Sequence, residues 1–126
     1  MISVCMATYN GDEYLAAQLS SILCQLNNKD EIIIVDDYSN DSTIDIINQI
    51  NDSRIKLYVN KKNMGEAYTF ERSIKLATGR VIFLADQDDL WFQNKVETFI
   101  ANFREYPNLS LIVSDTTIIN DKGEIL

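Results

Sequence analysis

No histidine occurs among the 126 residues. That absence removes histidine-based nucleophilic triads and the usual zinc sites built on imidazole. Cysteine is nearly as scarce, with only Cys5 and Cys24 present. The two lie in apolar patterns on different elements, without Cys-rich spacing. They read as small buried hydrophobes in a reducing compartment, neither a disulfide framework nor a zinc site. Positive charge is in deficit. Lys and Arg number 11 against 19 Asp and Glu, for a net charge of −8. This excludes the basic stripe that nucleic acid needs and the polybasic patch that draws a protein to anionic membranes. Long apolar runs are missing too. No stretch approaches the roughly 18 residues of a membrane span. The opening Met1-Ile2-Ser3-Val4 has no positive leader region and reads as a strand, so the expected location is cytoplasmic.

What remains is ordinary globular material. The apolar fraction of 46% is enough to build a core, and the length suits one domain covering residues 1–126. Strand and helix patterns alternate along it. Apolar runs at Ile2–Ala7, Glu31–Val35, Ile55–Val59, Val81–Ala85 and Leu109–Val113 predict five strands. Thr116–Ile119 is expected to extend the fifth, and Asp121-Lys122-Gly123-Glu124 to turn the chain back through Leu126. Helical spacing joins Leu15, Leu19, Ile22, Leu23 and Leu26 after Asp12, then Ile44, Ile47 and Ile50 after Asp41-Ser42-Thr43. A third helix carries Ala67, Phe70, Ile74 and Ala77, with Gly79 as its C-cap. A fourth carries Val96, Phe99, Ile100 and Phe103 and stops at Tyr106-Pro107. Repeated strand–helix units imply an α/β fold, a Rossmann-like three-layer α/β/α arrangement around a mainly parallel sheet.

In such sheets ligands bind beyond the carboxyl ends of the strands. Polar clusters fall there after four consecutive strands: Thr8-Tyr9-Asn10, Asp36-Asp37, Asn63-Met64-Gly65 and Asp86-Gln87-Asp88-Asp89. The last is the most informative, because an apolar strand ends abruptly in three carboxylates. Unpaired charges are costly to bury, so these acids belong at the mouth of the sheet. Two readings fit them: a helix cap from Asp88 or Asp89, or an oxygen-rich site for a hard cation such as Mg²⁺ or Mn²⁺. Plain readings exist for the others as well. Asn10-Gly11 is a turn signal, Asp41 and Ser42 are helix caps, and Trp91 is a packing residue.

Taken in order, the four clusters resemble the family-2 glycosyltransferases, which have the GT-A fold. The matching motifs are Thr8-Tyr9-Asn10, then Asp36-Asp37-Tyr38-Ser39-Asn40-Asp41-Ser42-Thr43, then Asn63-Met64-Gly65, then Asp86-Gln87-Asp88-Asp89. The resemblance spans nearly the whole chain. It implies an inverting enzyme that transfers a sugar from a UDP- or dTDP-sugar to a saccharide or lipid-linked acceptor, as in surface-polysaccharide synthesis. It further implies that residues around Ala7, Thr8 and Tyr9 hold the nucleobase and that Asp37 accepts the N3–H of uracil or thymine. Asn63 and Gly65 would line the donor site. Asp86 and Asp88 would serve the ribose and a Mn²⁺ or Mg²⁺ ion bridging the diphosphate.

The same resemblance implies a catalytic domain about twice this length. The chain is therefore expected to be a truncated, N-terminal, donor-binding half, inactive alone, with the general base beyond Leu126. An unpaired sheet edge is expected to make it a symmetric homodimer, and the full-length enzyme is expected to be peripheral to the membrane. Three rival classes share some of these features. A phosphoacceptor receiver domain needs its paired Asp after the first strand and a Lys after the last. A nucleotidyltransferase usually has a basic Gly-rich loop where Asn10-Gly11-Asp12-Glu13 is acidic. A catalytically silent nucleotide-binding module is the third.

Overall fold

The computed structural model describes residues 1–126. Eight elements alternate: β1 (Ile2–Thr8), α1 (Leu15–Leu23), β2 (Glu31–Asp36), α2 (Thr43–Ile50), β3 (Ile55–Val59), α3 (Glu66–Leu76), β4 (Val81–Ala85) and α4 (Lys95–Glu105). Contacts group the chain into two compact units, Met1–Val96 and Glu97–Leu126. The first holds a four-stranded, wholly parallel sheet in the order β3-β2-β1-β4.

The interior place of β2 follows from the sequence pattern. β2 is a β-branched run without alternation, and Ile32, Ile33, Ile34 and Val35 are all fully buried, as a central strand covered on both faces requires. The chain steps outward from β1 to β2 to β3, then crosses back to the far side of β1. Right-handed crossovers therefore place α1 and α2 on one face and α3 on the other. α1 packs beside α2, and α3 packs on β1 and β2. Register aligns Val4 with Ile32 and Phe83, and Met6 with Ile34 and Ala85. These residues share a face and are buried, as are Leu15, Leu19 and Ile22 of α1. Each fully buried side chain of this size contributes about 1.5–3 kcal/mol. The other face of β4 is bare, with Ile82 42% and Leu84 57% exposed.

The amino end of the sheet is tied by Glu31. Its Oε1 accepts Ser3 Oγ at 2.6 Å and Thr78 N–H and Oγ1 at 2.8 Å each, and its Oε2 accepts Lys56 Nζ at 2.6 Å. Burial pushes this carboxyl up. Lys56, Ser3 and Thr78 outweigh that and bring its pKa down from 4.5 to about 2.

Three sequence expectations need correction. Leu109–Val113 forms no strand. In the second unit the only ladder pairing is a single antiparallel bridge between Ile119 and Ile125, closed by the turn at Asn120–Gly123. An apolar run predicts a strand only where a neighbouring strand supplies hydrogen bonds, and this run has none. Cys24 is exposed, its thiol donating to Ser21 O, while Cys5 is buried as expected. Gly79 does not cap α3 in the left-handed conformation. It permits close approach, since a Cβ there would lie 2.5 Å from Ser3 N.

Candidate functional site

Asp36 ends β2 and Asp37 follows it, and the alternation of extended chain sends their side chains to opposite faces. Asp36 is fully buried and accepts Thr8 Oγ1 at 2.8 Å, Ser39 N–H at 2.8 Å and Ser39 Oγ at 2.6 Å. Asp37 reaches the β3–α3 loop. Its Oδ1 accepts Asn60 Nδ2 and Met64 N–H at 2.7 Å each, and its Oδ2 accepts Gly65 N–H at 2.8 Å. Burial pushes the Asp37 carboxyl up, but Asn60, the Met64 and Gly65 amides and Thr69 hold it below the usual carboxylate range. Asp37 is thus an ionised clamp on Asn63-Met64-Gly65. Gly65 has φ of 90°, a conformation that favours glycine, at the start of α3.

Side chains also zip the β1–α1 loop to the β2–α2 loop. Ser39 Oγ accepts Asn10 N–H at 2.9 Å, Asn10 Oδ1 accepts Asn40 N–H at 3.0 Å, and Thr43 Oγ1 accepts Gly11 N–H at 2.9 Å. The N-cap of α2 is Ser42, whose side chain makes no capping bond; Asp41, expected as a cap, instead accepts Thr43 N–H at 3.0 Å in a local turn and Asp12 N–H at 3.2 Å across the two loops. Thr8 belongs to this scaffold. Its hydroxyl goes to Asp36 and its carbonyl accepts Asp37 N–H at 2.8 Å.

The acidic loop after β4 is held by uncharged groups. The buried Gln18 of α1 donates its Nε2 to Asp86 O at 2.7 Å. Ser21 Oγ lies 3.0 Å from Gln18 Oε1 and accepts Trp91 N–H at 3.0 Å. Gln87 pairs with the Tyr9 backbone, its Oε1 accepting Tyr9 N–H at 2.9 Å and its Nε2 donating to Tyr9 O at 3.1 Å. Trp91 packs against Phe83, ring centroids 5.4 Å apart, and Lys95 Nζ sits 4.6 Å from the Trp91 ring centroid. The plain packing reading of Trp91 holds.

Charge is crowded in this loop. Desolvation raises the Asp86 carboxyl, and the charges of Asp89, Asp88 and Glu66 raise it further against the pull of Lys95. Desolvation in turn lowers the Lys95 ammonium, opposed by Asp89 and Asp86.

One cleft of about 410 Å³ opens at the carboxyl end of the sheet. It brings together all the residues singled out from sequence: Ala7, Thr8, Tyr9, Asp37, Asn63, Gly65, Asp86 and Asp88. Glu66, Thr69, Phe70 and Gln87 also line it and were not read from sequence. Gln18 carried a legible signal, being an amide on the apolar stripe of Leu15, Leu19 and Ile22. Gln87 carried none. No three acids or thiols converge into a ready-made metal cage. Mg²⁺ or Mn²⁺ does not need one, since one or two carboxylates plus substrate phosphate oxygens and water complete its shell. The mutually repelling hard-oxygen donors Asp86 and Asp88 fit that chemistry.

The family described as Glycosyl transferase family 2 matches residues 3–124. The chain is 35% identical, over 123 residues, to the UDP-Glc:alpha-D-GlcNAc-diphosphoundecaprenol beta-1,3-glucosyltransferase WfgD of Escherichia coli, covering 98% of this chain and 48% of that protein. It therefore spans about half the length of the curated relatives it matches. Among solved structures, S. aureus TarS 1-349 in complex with UDP-GlcNAc superposes with a TM-score of 0.78 at 26% identity, over 84% of this chain and 32% of that one. The mannosyltransferase PcManGT from Pyrobaculum calidifontis, solved with GDP-Man and Mn²⁺, gives a TM-score of 0.74 at 22% identity, over 81% and 32% of the two chains. That last likeness establishes the shared fold alone.

Proposed function

The chain belongs to glycosyl transferase family 2, and from that premise we propose that it forms the donor site of an inverting glycosyltransferase. The donor is a UDP- or dTDP-sugar, and the acceptor is a saccharide or a lipid-linked saccharide in surface-polysaccharide synthesis. The observation that carries this reading is a single cleft holding the Asp37-clamped loop at one side and the acidic pair Asp86 and Asp88 at the other. WfgD and UDP-bound relatives of the same fold support the donor class.

In the proposed reaction the acceptor hydroxyl oxygen bonds to the anomeric carbon as the carbon–oxygen bond to the diphosphate breaks. The bonding pair departs with the nucleoside diphosphate, and the hydroxyl proton passes to a base. Asp86 and Asp88 would hold a Mn²⁺ or Mg²⁺ ion, which would supply Lewis-acid stabilisation to the diphosphate. This chain's residues bind and orient. Asp37 Oδ2 holds one bond, to Gly65 N–H, and an ionised carboxylate oxygen can accept a second from a base N3–H. The Tyr9 ring is exposed at the cleft. Asp115 and Glu124 are exposed carboxylates of the second unit, and neither is assigned as base.

Competition calorimetry tests the donor class. Uridine and thymidine diphosphates should displace one another, and cytidine diphosphate should bind about tenfold or more weakly, because cytosine N3 is an acceptor and forfeits a hydrogen bond to a charged group worth ~1.5–3 kcal/mol. Equal affinities would remove Asp37 as the reader of the base.

Self-association is part of the same proposal. β4 is an edge strand whose own Ile82 and Leu84 are exposed, and two copies can pair such an edge about a two-fold axis.

A further inference from the structure

The side chain of the residue between the two proposed metal ligands makes a bidentate link between the two halves of the cleft. Gln87 follows Asp86 and precedes Asp88 on the loop after β4. Its primary amide pairs with the peptide of Tyr9 at the end of β1, accepting the N–H at 2.9 Å and donating to the C=O at 3.1 Å. Both polar atoms of the side chain are used, as are both polar atoms of the Tyr9 backbone. Gly11 makes the space. A Cβ at position 11 would lie 2.3 Å from Gln87 Oε1 and 2.5 Å from its Cδ.

The electrostatics explain why such a link is needed. Asp86, Asp88 and Asp89 put three carboxylates within four residues, and Glu66 lines the same cleft, so like charges are crowded there. Before a cation arrives, their repulsion works to spread the loop. An uncharged amide can hold that loop in place without neutralising the carboxylates a cation needs. Gln18 secures the loop from α1 through Asp86 O, but α1 does not touch the nucleoside end of the cleft through that bond. Gln87 joins the acids to Tyr9 directly.

We propose that Gln87 is a positioning residue that couples divalent-cation binding at Asp86 and Asp88 to nucleotide binding beside Tyr9, with Gly11 as the cavity that admits it. The proposal rests on the donor-site reading above. In it, a nucleotide that settles against Tyr9 fixes Gln87 and with it the acidic loop, and a cation does the reverse. By linkage the two enhancements are equal.

The test measures Mn²⁺ affinity of the 126-residue chain with and without saturating UDP, by calorimetry and by the electron paramagnetic resonance of free Mn²⁺. The ratio of the two affinities is the coupling factor. Gln87→Ala should keep measurable binding of each ligand alone but lower the coupling factor at least tenfold. Gly11→Ala, which evicts the amide without altering it, should do the same, and the double variant should be no worse than either single one. Gln87→Glu, which keeps the acceptor and loses the donor while adding repulsion, should not rescue. A merely structural role would lower the melting temperature and leave the coupling factor unchanged, and that result overturns the proposal while leaving the donor-site reading intact. Failure of the parent chain to bind Mn²⁺ with UDP overturns both.

Discussion

Tyr38 sits at φ of 70° with its side chain 58% exposed. A left-handed conformation costs a non-glycine residue about 1–2 kcal/mol, and the exposed ring has little packing to offset it. Replacing it by glycine removes that cost and adds a smaller one in chain entropy. Tyr38→Gly should therefore raise stability by about 0.5–1 kcal/mol in urea unfolding. Glu31 works in the opposite sense. Its folded-state pKa is depressed from 4.5 to about 2, so its contribution is complete above pH ~4.5 and is lost as pH falls toward 2. Since it is buried and paired, that contribution is about 2–3 kcal/mol. Glu31→Gln should lose most of it at pH 7 and should show a flatter acid limb than the parent in unfolding measured between pH 5 and 2. The same residue scale shows what sequence could reveal. Asp37 and Asp86 were legible, because a carboxylate at the end of a buried strand demands a partner. Their partners were not, because Asn60 reaches Asp37 across 23 residues of sequence and Gln18 reaches Asp86 across 68; the Gln87–Tyr9 pairing, 78 residues apart, was hidden for the same reason.

At the scale of elements, β2 was legible because an unbroken β-branched run fits only a strand covered on both faces. All four strands of the parallel sheet, and the strand ends that carry the site, were legible for similar reasons. The fifth predicted strand, Leu109–Val113, was not formed. Hydrophobicity marks what can be buried, but a strand also needs a neighbour's N–H and C=O groups. The two outcomes separate cleanly by mutation. Phe83 is buried in β4 against Trp91, so Phe83→Ala should cost about 3–5 kcal/mol. Val113 is 83% exposed, so Val113→Ser should change the stability of this chain by less than about 0.5 kcal/mol. Denaturant midpoints of the two variants check both values. A large loss at Val113 would mean that the run is covered in solution.

For the whole molecule, the polar strand ends converge on one cleft, and that convergence was legible in the sequence, whereas the strand order β3-β2-β1-β4 was not. Parallel α/β topology places four consecutive strand ends together whatever their spacing in sequence. The bare face of β4 is also a whole-molecule property, and sedimentation should show a concentration-dependent dimer that Leu84→Glu disrupts; a monomer at high concentration would end that proposal. No helix is long and apolar enough to cross a membrane. The central claim is that a cation and a nucleoside diphosphate occupy this cleft together through the acidic loop. Calorimetric titration of UDP in the presence of Mn²⁺, comparing the parent chain with Asp88→Ala, tests it most directly. Binding that depends on Mn²⁺ in the parent and falls at least tenfold in Asp88→Ala, with the fold intact by circular dichroism, is the expected result. Equal Mn²⁺-dependent binding by both chains, or none by the parent, would contradict it.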